Sequence, residues 1–139
     1  MSALTELRGS QWKGTNELWL DPLGDQVQKS ECTMSVEDQV VRYTWSHEGK
    51  THEGSISLRE GGADFTDTWH QPTPMKLRAL PGAWGLFQVQ GEYGPDSDWG
   101  WRIGLFLRAP TGELVLQMTN IAPWGEEVRA VRMIGQRQP

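Results

Sequence analysis

The sequence predicts an all-β protein built as a ten-stranded antiparallel up-and-down barrel. Stretches of β-favouring residues alternate with turn signals along all 139 residues. The links between them are only a few residues long, and such links suit antiparallel neighbours, because a parallel crossover needs about a dozen residues or more. No long segment has a helical period, apart from one turn near residues 2–7. Closing such a meander into a barrel removes the exposed strand edges.

Ten segments have the strand pattern, and most are followed by Gly, Pro, Asp or Glu residues that favour turns. The predicted strands are Trp12–Leu20, Ser30–Val36, Gln39–His47, Thr51–Arg59, Ala63–His70, Met75–Leu80, Trp84–Tyr93, Trp99–Arg108, Glu113–Ile121 and Glu126–Ile134. Turns are predicted at residues 21–25, at the hairpin signal Glu48-Gly49-Lys50 and at residues 71–74. We expect one domain spanning residues 1–139.

Alternation along each strand predicts which side chains point into the barrel. The inward residues expected for strands three and five to nine are Val41, Tyr43, Trp45, Phe65, Asp67, Trp69, Met75, Leu77, Ala79, Phe87, Val89, Tyr93, Trp99, Trp101, Ile103, Leu105, Leu107, Leu114, Leu116 and Met118. In the last strand two sets compete, Val128, Ala130 and Ile134 against Val131 and Met133.

Composition excludes several classes of function. The net charge is −5, and the 13 Lys and Arg residues are scattered, which argues against nucleic acid as the main partner. No apolar run approaches the roughly 20 residues that span a bilayer, so no membrane partner is expected. Residues 1–8 lack the basic and apolar regions of a signal peptide. Cys32 is the one cysteine, so no internal disulfide forms, and the cytoplasm is the expected location.

The aromatic residues point to a binding function. Eight Trp residues stand against two Tyr and three Phe, and Trp suits walls, plugs and interfaces more than simple core filling. An interior of Trp, Tyr, Phe and Met with a few polar groups matches a pocket for a small hydrophobic or aromatic ligand. The predicted ligand-binding residues are Tyr43, Trp45, Asp67, Trp69, Tyr93 and Trp101. A barrel collapsed onto its own aromatic side chains is the alternative.

The first strand opens with two short motifs, Gly9-Ser10-Gln11-Trp12 and Trp12-Lys13-Gly14-Thr15. They resemble the start of calycins, the group of lipocalins and fatty-acid-binding proteins, and of bacterial calycin-like domains of unknown function. His52-Glu53-Gly54 and Thr66-Asp67-Thr68-Trp69 are similar to later parts of those families. Lipocalins place the first Gly and Trp one residue closer, and residues 20–30 leave no room for the helices of fatty-acid-binding proteins. The resemblance therefore implies the barrel fold and not fatty-acid transport.

By the same resemblance, Trp12 is expected to plug the barrel floor, with Arg129 or Arg132 lying across its ring. Trp19 has the opposite parity to Trp12 and lies beside the turn at residues 21–25. The resemblance also extends to nitrobindins, barrels that hold haem through one His, and His70 is the candidate for that role. The sequence itself identifies no cofactor.

Other functions remain open at this stage. Asp67 between two aromatic residues would be a candidate acid or base in an isomerase or cyclase. His47 and His52 flank one hairpin and, with Glu53 or Asp67, would be candidate metal ligands. A third alternative is a ligand-free module that self-associates as a homodimer. In that module Trp84 or Trp124 would anchor the interface.

Overall fold

Ten antiparallel strands close into one barrel in the computed structural model, which describes residues 4–21, 23, 25–82 and 84–139. The strands are β1 Gln11–Trp19, β2 Val27–Glu37, β3 Val40–His47, β4 Lys50–Arg59, β5 Gly62–Asp67, β6 Gln71–Ala79, β7 Phe87–Tyr93, β8 Trp99–Leu107, β9 Leu114–Ile121 and β10 Glu127–Arg137. Each strand pairs with its neighbours in sequence, and β1 also pairs with β10. The predicted fold class is confirmed. Among the described residues, no helix is long and apolar enough to cross a membrane.

Every predicted strand overlaps an observed one, and the largest differences flank one turn. Trp69 and His70 were expected in strand five but lie in the turn that follows β5. Pro72 and Pro74 were expected in a turn but lie inside β6. Both prolines lack an N–H, and they fall where the pairing of β5 with β6 shifts register after Phe65.

Two predicted features lie partly outside the described residues. The helical turn expected near residues 2–7 is a single turn of 3-10 helix, Thr5–Leu7, while Ser2 and Ala3 are outside the described part. Within the turn predicted at residues 21–25, Pro22 and Gly24 are likewise outside it.

Trp12 fills one end of the barrel. Its side chain is 2% exposed, and Leu4 and Leu7 beside the 3-10 turn belong to the same buried core. The Trp12 Nε1–H donates to Ser10 Oγ at 2.9 Å, and the Ser10 hydroxyl donates to the carbonyl oxygen of Leu7 at 2.5 Å. These contacts satisfy the indole N–H and connect the N-terminal turn to the first strand. We call this the closed end.

The predicted arginine partner of Trp12 is wrong. Arg137 lies over the Trp12 ring at 5.7 Å, whereas Arg129 and Arg132 lie over Trp19 at 4.7 and 5.9 Å. The strand was expected to stop at Ile134, but β10 continues to Arg137, which is directly opposite Trp12. The additional three residues bring a later arginine to the closed end and leave the other two near the opposite end of β1.

A bulge in β10 decides which of its side chains face inward. Arg129 pairs with Thr119, but Val131 pairs with Met118, so Ala130 is the extra residue. Val131 and Met133 are consequently buried. This settles the two competing sets in the last strand.

Three other residues predicted to point inward are exposed, and Phe87, Tyr93 and Trp99 are half-buried. Ala79 and Leu107 are exposed, because each is the last residue of its strand, at the rim of the closed end. Trp69 is 42% exposed, because β5 ends two residues before it and the strand parity no longer applies.

β6 and β7 form the weakest seam of the barrel. Their ladder contains only two pairs, Arg78 with Gln90 and Ala79 with Val89, whereas β7 and β8 form seven. Both pairs lie near the closed end. Toward the opposite end, which we call the open end, no ladder pair joins the two strands.

The plug at the closed end yields a stability prediction. Trp12→Ala should lower the free energy of unfolding by about 3–5 kcal/mol, because it leaves a large cavity and an unpaired Ser10. Trp84→Ala is the matched control, since Trp84 is 85% exposed and its loss should change the stability by less than about 0.5 kcal/mol. Urea denaturation of both variants measures the difference. Wild-type stability of Trp12→Ala would contradict the plug.

Candidate functional site

The open end collects all three histidines around one tryptophan. Ring centroids of His52, His70 and Trp69 lie 4.7, 5.6 and 5.6 Å from that of Trp45, and His47 lies at 6.1 Å. We call these five residues the aromatic cluster. Since β3, β4 and the β5–β6 turn all reach the open end, antiparallel pairing brings residues that are distant in sequence together there. The cluster fills much of the open end with protein side chains.

A buried carboxylate holds the cluster in place. Asp67 is 1% exposed, and its two oxygens accept four hydrogen bonds. One oxygen accepts from the Tyr43 hydroxyl at 2.5 Å and from Trp45 Nε1 at 3.2 Å. The other accepts from the backbone N–H groups of Trp69 and His70 at 2.8 and 2.9 Å. Asp67 therefore fixes two core rings and the turn that carries two more.

Gly54 leaves the space that Tyr43 needs to contact Asp67. In the sheet, Tyr43 pairs with Gly54, and Gly54 pairs with Asp67, so the three residues form one row across β3, β4 and β5. A Cβ at position 54 would overlap the Tyr43 phenol oxygen and lie 2.8 Å from the Thr66 carbonyl oxygen. Only glycine lets the tyrosine ring cross over β4 to reach the carboxylate.

A cavity of about 170 Å³ lies beside the cluster, next to the parts of β6 and β7 that no ladder pair joins. Its lining residues are Phe65, His70, Gln71, Met75, Tyr93 and Trp101. An apolar cavity of about 150 Å³ holds one benzene molecule, so this space matches a single-ring compound. It is far too small for a porphyrin with four pyrrole rings. The residues around His70 therefore do not fit haem.

Two buried polar atoms at the cavity have no hydrogen-bond partner among the described residues. They are Nε2 of His70 and Nε1 of Trp101, whose side chain is only 8% exposed. The centroids of the two rings are 5.5 Å apart, and the ring planes are inclined to each other by 39°. Leaving a buried donor or acceptor unpaired costs about 1–3 kcal/mol, so each of these atoms lowers the stability of the fold.

The lining of the cavity carries no charge at neutral pH. Burial lowers the pKa of His70 to about 4, with repulsion by His52 acting in the same direction and attraction by Asp67 opposing it. Burial also raises the pKa of Tyr93, although its hydrogen bond to Asn120 acts against this shift. His70 is consequently a neutral imidazole and Tyr93 a neutral phenol.

The predicted binding residues fall into two groups. Tyr93 and Trp101 line the cavity. Tyr43, Trp45 and Asp67 lie in the core beneath it and bind one another, while Trp69 covers the cluster from the solvent side.

Four residues that line the cavity were not among the predicted ligand-binding residues. Phe65 and Met75 were expected to face inward, and their parity was a usable signal. His70 was considered only as a haem ligand. Gln71 was interpreted as a turn residue, and nothing in its neighbourhood, which includes Pro72, identifies it as part of a cavity.

A concavity of about 690 Å³ lies on the outer face of the sheet. Its floor is a layer of hydroxyl side chains that pair across strands, such as Thr33 with Thr44 at 2.5 Å and Ser55 with Thr66 at 3.2 Å. Such pairs stabilise a solvated sheet face. The described residues contain no group of three His, Cys, Asp or Glu side chains that could hold a metal ion.

The hydrogen bonds of Asp67 predict a large loss of stability for Asp67→Asn. An amide keeps one acceptor oxygen and turns an NH₂ group toward donors, so the free energy of unfolding should fall by about 3 kcal/mol. Asp64→Asn on the same strand is the control. It breaks only an exposed ion pair with Arg59 and should cost less than about 1 kcal/mol. Equal losses in the two variants, measured by urea denaturation, would refute the anchoring role of Asp67.

The low pKa of His70 predicts a specific pH dependence. The unfolded chain binds a proton at this residue below about pH 6.5, but the folded protein does so only below about pH 4. The free energy of unfolding should therefore fall by roughly 2–3 kcal/mol as the pH drops through this window. His70→Phe removes this contribution and leaves the other titrating groups in place. Stability curves of the two proteins that stay parallel from pH 7 to pH 4 would contradict the assignment.

Comparison of the sequence with known proteins identifies no relative, so a functional conclusion rests on the geometry of the site. No protein-family model matches the chain, and no curated protein matches it in sequence. The closed ten-stranded barrel is compatible with a calycin-like fold. What the structure itself establishes, over the residues it describes, is an antiparallel barrel with a buried core and a small cavity lined by uncharged side chains.

Proposed function

We propose that the protein binds a small apolar or aromatic molecule non-covalently in the cavity between β5 and β8. The observation that carries the proposal is a single-ring-sized cavity whose lining combines apolar and aromatic side chains with the uncharged polar residues His70, Gln71 and Tyr93. Binding sites are typically concave and mostly apolar, with a few placed polar groups. We include in the proposal the placement of this chain among calycin-like binding barrels, in keeping with its strand number and closure.

Access to the cavity is proposed to lie along the seam between β6 and β7. Met75 of β6 and Tyr93 of β7 both line the cavity, and no ladder pair joins these parts of the two strands. On the outside, the Arg78 guanidinium bonds the Glu92 carboxylate across the seam at 2.7 Å. This exposed pair is weak enough to open without unfolding the barrel.

The contacts of Asp67 favour binding over acid–base catalysis. A general acid or base must reach a proton on its substrate. Both oxygens of Asp67 are occupied by protein donors, and the residue does not line the cavity. The function supported best is therefore that of a binding protein.

A ligand panel tests this function directly. Toluene, phenol, indole and short-chain alkanes should be titrated while Trp fluorescence and thermal unfolding are followed. Single-ring compounds should bind with a Kd of roughly 0.1–1 mM, as expected for six to eight heavy atoms. Ligand at 100 times its Kd should stabilise the fold by about 2.7 kcal/mol.

Paired variants locate the site. Met75→Trp directs a large ring into the cavity and should abolish binding, whereas Lys76→Trp directs the same ring outward from the next position of β6. Lys76→Trp should keep the wild-type Kd. Failure of every compound to bind the wild-type protein would refute the binding function. Equal Kd values in the two variants would place binding outside this cavity.

A further inference from the structure

We infer that the cavity selects single-ring compounds in their uncharged form, and that it excludes anions more strongly than cations because the carboxylate of Asp67 lies beside it. The inference rests on the proposed binding function and specifies its ligand class. It depends on the neutral lining of the cavity and on the position of Asp67, which is buried in the core and bonds to the backbone of the lining residue His70.

The lining offers no counter-ion to a charged group of a ligand. Its six residues are Phe, Trp and Met together with the polar residues His70, Gln71 and Tyr93. Burial lowers the pKa of His70 and raises the pKa of Tyr93, so both side chains are uncharged at neutral pH. An ion that enters such a site loses its hydration and gains no partner of opposite charge. The uncharged form of a ligand is therefore favoured.

Asp67 makes the two signs of charge unequal. Its four donors are the Tyr43 hydroxyl, the Trp45 indole and the backbone N–H groups of Trp69 and His70, and all four are uncharged. They bind the carboxylate without cancelling its negative charge. Because the carboxylate is buried, its field is weakly screened by solvent over this short distance. It therefore repels an anion in the cavity and attracts a cation.

His70 shows how burial and this attraction balance for a cation. Protonation would place a positive charge at the edge of the cavity, and Asp67 favours that charge. Burial nevertheless lowers the pKa of His70 to about 4, with repulsion by His52 acting in the same direction. Burial thus outweighs the attraction of Asp67 for a cation. For an anion, burial and the charge of Asp67 act in the same direction, so its exclusion is the stronger.

Few protein groups near the cavity change charge during the test. The titratable groups that surround it are His70 and Tyr93 in the lining, Tyr43 and Asp67 in the core, and His52 in the aromatic cluster. The pKa of His70 is about 4, and burial raises the pKa of Tyr43 and Tyr93. A change in affinity above neutral pH therefore follows the titration of the ligand. Toluene, which has no titrating group, controls for every other change in the protein.

Two ligands test the two signs of charge on the wild-type protein. N-methylpyridinium has the shape of toluene and a permanent positive charge. It should bind about threefold to thirtyfold more weakly than toluene, because the rings of Phe65 and Trp101 and the charge of Asp67 offset part of its lost hydration. The second ligand, 2,6-difluorophenol, becomes an anion near neutral pH. Its apparent Kd should rise about tenfold for each pH unit above its pKa, to about a hundredfold at two units, because only the uncharged fraction binds. Protein NMR signals that shift on saturation with toluene report all Kd values.

A pair of variants tests the part played by Asp67. Asp67→Asn removes the negative charge and keeps the size of the side chain. It should weaken N-methylpyridinium relative to toluene by a further threefold or so, and it should reduce the rise in the Kd of 2,6-difluorophenol by about the same factor. Asp64→Asn, which removes a more exposed charge on the same strand, should leave both ratios unchanged. Each ratio compares two ligands of one protein, so a general loss of affinity in Asp67→Asn cancels.

The outcomes separate the two proposals. If toluene does not bind the wild-type protein, the binding function itself fails. If toluene binds, the charge inference is overturned by equal binding of N-methylpyridinium, by no binding of uncharged 2,6-difluorophenol, or by a Kd of this phenol that is the same on both sides of its pKa. A cation excluded as strongly as the anion, or ratios that a toluene-binding Asp67→Asn leaves unchanged, would overturn the role of Asp67. If Asp67→Asn no longer binds toluene, the order of the two ratios in the wild-type protein decides.

Discussion

The open end of the barrel depends on one buried carboxylate. Asp67 lies where β5 ends, and its four hydrogen bonds fix the phenol of Tyr43, the indole of Trp45 and the first turn residues beyond the strand. Burying an acidic group costs several kcal/mol unless donors surround it. Here two of the four donors belong to rings that fill the core, and the other two are backbone N–H groups of the turn. Burial raises the pKa of Tyr43 well above its ordinary value, and the negative charge of Asp67 and its hydrogen bond with the phenol raise that pKa further.

The geometry of the cavity follows from the hydrogen bonds of Asp67. The turn held by Asp67 places His70 between the rings of Trp45 and Trp101. Pro72 and Pro74, immediately after that turn, disturb the pairing of β6 with its neighbours. A tightly fixed turn next to a poorly paired strand leaves a space that neither can fill. The cavity is thus a consequence of backbone chemistry at the β5–β6 turn as well as of side-chain size.

Alternation and turn chemistry predicted the fold because both are local. Ten strand segments follow from short-range patterns, and closure into a barrel follows from the short links between them. Predictions failed where the local period is broken. The bulge at Ala130 and the end of β5 before Trp69 both change which side chains point inward. The neighbouring residues contain no signal that predicts either change. The arginine over Trp12 was misassigned because β10 runs three residues further than expected.

The sequence predicted only part of the cavity lining for the same reason. Parity identified Tyr43, Trp45, Asp67 and Trp101 as inward residues, but parity cannot tell which inward side chains pack against each other and which border free space. That distinction depends on Gly54, whose missing Cβ lets Tyr43 reach across a strand. A single glycine thereby lets Tyr43 and Asp67, both predicted ligand-binding residues, bond to each other in the core, while the cavity lies beside β6 and β7.

The most direct test of this account observes the cavity from inside. Methionine methyl groups labelled with ¹³C give separate signals, and Met75 lines the cavity while Met34 and Met118 lie in the core away from it. During titration with toluene or phenol, the account predicts a saturable shift of the Met75 methyl signal, with Met34 and Met118 nearly unchanged. Binding that leaves Met75 unmoved, or no shift of any methyl signal, would contradict a ligand site between β5 and β8.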